Sequence, residues 1–350
     1  MPLTAVRIRA LVALLVAVVT LSGCAGAAGA VRATEDPAIR VDHHVHLNSP
    51  DLQAAIPAFC ENIKRYGGCD PALTTVRTPA DLLSAMDAAG VGRALVVSTG
   101  YLAESPLMPG PMAERASLMR SANDWTVDVA RRHPDRLRAF VAVEPLQPTA
   151  LPEIARWRGA PSVAGVKLHL TSSGVDLRNE AHLDALAGVF AAASESQLAV
   201  LVHLRTQRSD YGAPDVERFI EHVLPALHDG HVQIAHAAGW GGIDPATLSA
   251  LGAFAAAMEA DPARFEHVWF DLSGVWTDTT PEADRQALVA LIRRIGIHHF
   301  LPGSDWPYAG ADLADYYSRV YPLLPLQPAE WATLRGNVAP FAAASADNGP

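Results

Sequence analysis

Residues 39–46 read IRVDHHVH, a short apolar strand whose end carries imidazoles at alternate positions, His44 and His46. Side chains two apart on a strand point the same way, so both rings face one side, with Asp42. Two neutral imidazoles converging from one strand end can hold a divalent ion, and the Asp42 carboxylate could orient one of them. His43 should then point the other way, towards whatever covers the strand. With 14 histidines in the chain, an isolated pair of this spacing is only half a site. The rest of the chain has to supply the other half.

Outward from this strand, seven more short apolar or β-branched runs follow: 93–98, 137–143, 163–169, 198–204, 231–236, 267–272 and 298–301. Longer helical patterns separate them. Thr78 and Pro79 supply a cap and a first-turn proline, and Gly90 a stop; Thr280 and Pro281 open another helix that stops at Gly296. Pro214, Pro245 and Pro328 sit where further helices could begin. Eight strands alternating with helices, without a break in composition, predict an α/β protein folded as one (β/α)8 TIM barrel over residues 39–341, with strand 1 beginning at residue 39. The segment from Asn48 to Thr78 reads as a long inserted loop after strand 1, lying over the strand ends.

In a parallel barrel the chemistry gathers at the C-terminal ends of the strands. Strand 5, LAVLVHLRT, closes on His203; strand 6, HVQIAHAAGWGG, on His236; and strand 8 runs FLPGSDWP into Asp305. Taken with DHHVH at 42–46 and GVKLH at 165–169, these motifs resemble the amidohydrolase superfamily, in particular the branch that contains decarboxylases and lactonases. The resemblance spans roughly Ile39 to Phe341. It implies that His44, His46, His203 and Asp305 are metal ligands, and that His236 is either a further ligand or the base that activates water. Imidazoles with one carboxylate suit a single zinc ion, with manganese or another divalent ion as the alternative. Zinc lowers the pKa of bound water to about 7, and Asp305 could take or relay its proton.

Around these positions other side chains are candidates. Lys167 could bind a substrate carboxylate or, in a two-metal arrangement, carry a bridging carbamate, and His169 shares its strand face. Arg205, two residues after His203, could meet an acidic substrate at the rim. Asp271 and Ser273 could offer hydrogen bonds to the pocket or cap local structure. Trp240, Trp276, Trp306 and Tyr308 follow strand ends and could form an aromatic wall for a flat substrate.

The first residues differ in kind from the body. Arg7 and Arg9 precede an apolar run, 10–19, which closes on Leu21-Ser22-Gly23-Cys24. This resembles a bacterial lipoprotein signal over residues 1–23, with lipid attached to Cys24, a flexible tether over 24–38, and export to face outside the cytoplasm on a membrane anchor. Residues 342–350 read as a disordered tail. With Cys24 lipidated, Cys60 and Cys69 are left to form a disulfide in an oxidising compartment. A net charge of -10 without a basic run makes nucleic acid an improbable partner. The function expected is metal-dependent hydrolysis of a small ester, lactone or amide, with decarboxylation of an unsaturated or aromatic acid as the alternative. A lipoprotein that only captures a ligand is a third reading.

Overall fold

Eight strands, β1 (Val41–Leu47), β2 (Arg93–Ser98), β3 (Leu137–Ala142), β4 (Val163–His169), β5 (Ala199–His203), β6 (Val232–Ile234), β7 (Val268–Asp271) and β8 (Phe300–Leu301), pair in parallel in sequence order. The computed structural model describes residues 39–64 and 68–343. The expected signal segment, Cys24, the expected tether and residues 344–350 lie outside them. Closure runs from β1 to the chain after β8: His43 N–H bonds to Pro302 O at 2.9 Å, Asp305 N–H to His44 O at 2.8 Å and His46 N–H to Trp306 O at 2.7 Å. The architecture is the (β/α)8 barrel.

The main helices are α1 (Pro50–Ile63), α2 (Pro79–Ala89), α3 (Met112–Arg132), α4 (Ala150–Arg156), α5 (Glu180–Glu195), α6 (Ala213–His222), α7 (Pro245–Ala260), α8 (Glu282–Ile295) and α9 (Pro328–Gly336). The start and stop signals of α2 act as read: Thr78 and Asp81 form a capping box, and Gly90 ends the helix in the left-handed region at φ 65°. The segment after β1 departs from expectation. Most of it is helix, because Ser49 caps the Leu52 N–H, Pro50 opens the first turn, and Leu52, Ile56 and Phe59 recur at helical spacing on a buried face. Pro57 inside this helix hid that pattern. Cys60 and Cys69 are joined by a disulfide as expected.

Alternation along the strands sorts side chains into two layers. Val166, Leu168, Val200, Val202, Val232, Ile234, Phe270 and Phe300 belong to the large core between barrel and helices. Val41, Leu95, Phe140, Ala164, Ala199, Leu201, Ala235 and Leu301 form a smaller cluster together with Ala339, Phe341 and Ala342. The barrel interior is therefore apolar at one end, where the C-terminal segment plugs it. Towards the other end come Lys167, His203, Asp271 and Asp305, near or just past the C-terminal ends of their strands, with Gln233 in the middle of β6.

Candidate metal centre

β1 changes phase within the motif. Its pairing with β2 shifts between Asp42 and Val45, so Asp42 and His44 no longer share a face as strict alternation would require. Asp42 accepts the backbone N–H groups of His44 and Ser304, each at 3.1 Å, and does not orient an imidazole. His43 does not turn to the helices either. Its Nδ1 donates to Pro302 O at 3.0 Å and its Nε2 accepts the Ala339 N–H at 3.3 Å, which ties β1 to the C-terminal plug.

His44 and His46 face each other with their Nε2 atoms 3.1 Å apart. Asp305 Oδ1 stands 3.7 Å from the first and 3.3 Å from the second. Each ring has its other nitrogen engaged by an acceptor: His44 Nδ1 meets Asp271 Oδ2 at 3.1 Å, and His46 Nδ1 meets Val97 O at 3.2 Å. A carboxylate or carbonyl oxygen accepts, so both protons sit on Nδ1 and both Nε2 atoms present lone pairs. Three acceptors thus converge with no hydrogen of their own to share, and Lys167 Nζ donates to one of them, His44 Nε2, at 3.2 Å. Donors 2.0–2.2 Å from a tetrahedral ion stand roughly 3.3 Å apart, and the observed separations bracket that spacing. The donor set fits a divalent cation.

Electrostatics agree. Burial pushes the His44 imidazole down to about 3 and also lowers His46, so both stay neutral as ligands must. For Asp305 burial works upwards, but the His46 bond and the surrounding imidazoles outweigh it and hold the carboxyl well below its ordinary range. Lys167 is fully buried with Nζ 3.2 Å from His44 Nε2, and burial lowers it to about 8 against the pull of Asp271 and Asp305.

His236 lies just beyond β6, which is shorter than the sequence suggested and ends at Ile234. Its backbone is left-handed at φ 53°, its Nδ1 donates to Ser273 O at 2.7 Å, and its ring centroid is 5.0 Å from that of His44. His203 is placed next to His236, ring centroids 5.1 Å apart, and stacks flat on His169 at 4.1 Å. The ligand atoms of His44, His46 and Asp305 all lie within 4.8 Å of one another, and His203 is not part of that group. Its Nε2 is nonetheless buried without a hydrogen-bond partner, and in the tautomer with the proton on Nδ1 it would offer a lone pair to a cation.

The flanking candidates divide. Arg205 is not free at the rim: its guanidinium pairs with Asp244, the cap of α7, at 2.7 Å. Trp276 stacks on Tyr321 and Trp306 bonds to Ala311 O, both as buried core residues. Tyr308 lies against His46 at 4.9 Å, Tyr101 against His169 at 4.9 Å, and Trp240, 53% exposed, stands edge-on to His203 at 5.2 Å. These three rings line the mouth. Asp271 and Ser273 are central to the network, and Gln233, not foreseen, donates to Asp271 Oδ2 at 2.6 Å. A glutamine at an inward position of an otherwise apolar strand was the available signal for it. Tyr101, just past the end of β2, was legible by the same strand-end rule that found His203.

A parallel barrel whose C-terminal mouth gathers imidazoles, carboxylates and a lysine defines a TIM-barrel protein with a candidate metal site. The amidohydrolase family model matches residues 41–321, and the chain belongs to that family. No curated protein matches the chain by sequence. Among solved structures it is similar to 5-carboxyvanillate decarboxylase from Sphingomonas paucimobilis, at 18% identity over 85% of this chain and 97% of that one, with a TM-score of 0.61. A 5-carboxyvanillate decarboxylase from Novosphingobium aromaticivorans, complexed with manganese and a nitrobenzoic acid, matches at 17% identity over 86% and 94%, TM-score 0.54. A zinc-bound amidohydrolase from Burkholderia multivorans matches at 18% identity over 85% and 96%, TM-score 0.55.

Proposed function

We propose that this chain is a metal-dependent decarboxylase of a small planar ring acid, which places the alternative ahead of the hydrolase reading. The observation that carries it is the mouth: Tyr101, Tyr308, Trp240 and the flat His169–His203 stack surround the acceptor cluster, with the buried Lys167 cation beside it. Such walls suit a ring, and the cation suits its carboxylate. Two of the fold neighbours named above are decarboxylases of a carboxylated phenol, which supports the same reading.

His44, His46 and Asp305 would hold one zinc or manganese ion, with His203 completing the set. The bound ion would supply Lewis acidity towards the oxygens of the substrate. Lys167 would balance the substrate carboxylate. As the carbon–carbon bond breaks, its electron pair stays on the ring carbon, carbon dioxide leaves, and a proton must reach that carbon. His236 has Nδ1–H fixed by Ser273 O, so its bare Nε2 can take up a proton from solvent and pass it to that carbon. Hydrolysis of a lactone or ester is the second reading, favoured by Asp305, an ionised carboxylate able to take a proton from attacking water.

Metal-loaded protein incubated in 18O-water with carboxylated phenols and lactones separates the two. Carbon dioxide equimolar with the ring product, and no heavy oxygen in that product, is expected. Heavy oxygen in a product acid without carbon dioxide would establish hydrolysis instead. Export and lipid anchoring at Cys24 remain part of the proposal on sequence grounds, supported by the Cys60–Cys69 disulfide, which suits an oxidising compartment. A Cys24→Ser variant should move from the membrane to the soluble fraction, and retention on the membrane would remove the anchor.

A further inference from the structure

Asp271 spends both carboxylate oxygens on the site without facing the acceptor cluster itself. Oδ2 accepts His44 Nδ1–H at 3.1 Å and the Gln233 amide at 2.6 Å. Oδ1 accepts the backbone N–H of His236 at 3.0 Å, that of Ser273 at 3.2 Å, and the Ser273 hydroxyl at 2.5 Å. Five donors from β1, β6 and the turn after β7 thus converge on one buried anion. Ser273 Oγ lies 3.1 Å from both His44 Nδ1 and His236 Nδ1 and reinforces the same proton positions.

We infer that Asp271 is a positioning residue for the metal centre: it fixes the proton of His44 on Nδ1, so that Nε2 offers its lone pair to the cation, and holds His236 in its left-handed turn. The inference rests on the reading of His44 as a metal-binding residue. Its physical core is that an imidazole has one proton in the neutral state, and a carboxylate on one nitrogen decides which nitrogen keeps it.

Asp271→Asn separates the two duties. The two backbone N–H groups at Oδ1 cannot turn into acceptors, so the asparagine must keep its oxygen on their side and direct its NH2 at His44. Gln233 can accommodate this by flipping its unpartnered Oε1 towards the asparagine, at the cost of the bond from its Nε2 to His43 O at 3.2 Å. His44 Nδ1 then accepts from the asparagine, its proton moves to Nε2, where Lys167 Nζ at 3.2 Å has to give way, and the lone pair facing His46 and Asp305 is lost. The backbone of His236 stays held throughout.

The test reads proton positions directly, by 15N NMR of histidine-labelled, metal-free protein, with the His44 signals assigned against His44→Gln. In the wild type Nδ1 should be the protonated nitrogen and Nε2 the bare one, and Asp271→Asn should invert the pattern for His44. His46, held by the Val97 carbonyl, should not change. Zinc affinity of the same variant, by equilibrium dialysis, should weaken about 10- to 100-fold. Wild-type protein with its His44 proton on Nε2 would overturn the inference and needs no variant to fold. So would a folded Asp271→Asn protein with the wild-type pattern and unchanged affinity. Wild-type protein that binds no zinc yet shows the expected proton positions would instead remove the metal reading and leave the role of Asp271 in orienting His44 standing.

Discussion

Lys167 and Glu144 are both buried ionisable groups at the mouth, and they make opposite demands on the protein. Lys167 sits 3.2 Å from His44 Nε2. If it meets the substrate carboxylate, Lys167→Met removes a charge-assisted hydrogen bond of about 2 kcal/mol, and kcat/KM should fall roughly 30-fold. An unchanged kcat/KM would place the substrate elsewhere. Glu144, two residues beyond β3, is fully buried, and burial pushes its carboxyl up to about 8, with Glu104 adding to the rise and Ser173, the Leu146 N–H and Arg115 opposing it. The folded state therefore keeps a proton that the unfolded chain releases near 4.5. Stability from this group is complete below about pH 4.5 and is lost as pH rises towards 8, at roughly 1.4 kcal/mol per pH unit at most. Glu144→Gln, which mimics the protonated acid, should match the wild-type Tm at pH 4.5 and exceed it increasingly up to pH 8; a gap independent of pH would show that Glu144 is ionised in the fold. His44, His46 and Asp305 were legible as residues because imidazole and carboxylate at strand ends have few other uses. The partner of His44 was not, since Asp271 comes from a strand 227 positions away and Asp42 was the carboxylate in view.

At the scale of elements, strand ends and helix caps were readable, and phase was not. Alternation predicts that Asp42, His44 and His46 share a face, but the shift inside β1 gives Asp42 to backbone amides and turns His43 to the plug. A second irregularity lies between β3 and β4, where Ala139 pairs with Val163 and Phe140 with Gly165. There a Cβ on Gly165 would stand 2.1 Å from Ala199 O and 2.5 Å from Phe140 Cε1, closer than atoms can approach. Gly165 is thus required by neighbouring backbone, two residues before Lys167. Gly165→Ala should cost about 3 kcal/mol or more and displace Lys167, read as a lowered Tm together with loss of turnover. A stable, fully active variant would show that β4 and β5 can separate freely. The helix after β1 was missed for a related reason: an internal proline outweighed three well-spaced apolar residues.

Across the whole molecule, the barrel has an apolar end and a chemical end, and the last described residues decide the first. Phe341 packs edge-on to Phe140 at 5.8 Å, and Arg138 holds the carbonyls of Phe341 and Ala343 at 2.6 and 3.0 Å. Phe341→Ala should cost about 3–5 kcal/mol, a shift easily read by denaturant or thermal unfolding. A near-zero change would show that the plug is ornamental. The sequence carried the barrel through its eight alternating runs, yet gave no sign that residues after α9 return into it, since a short segment of alanines and one phenylalanine has no period. His43 shows what that return means for a chain made from one end. Its bonds to Pro302 and Ala339 span 259 and 296 positions, so during synthesis β1 pairs with β2 on one side and keeps its other edge open until residues 302 to 339 have emerged. A chain cut short before residue 302 would leave that edge exposed and in search of another chain.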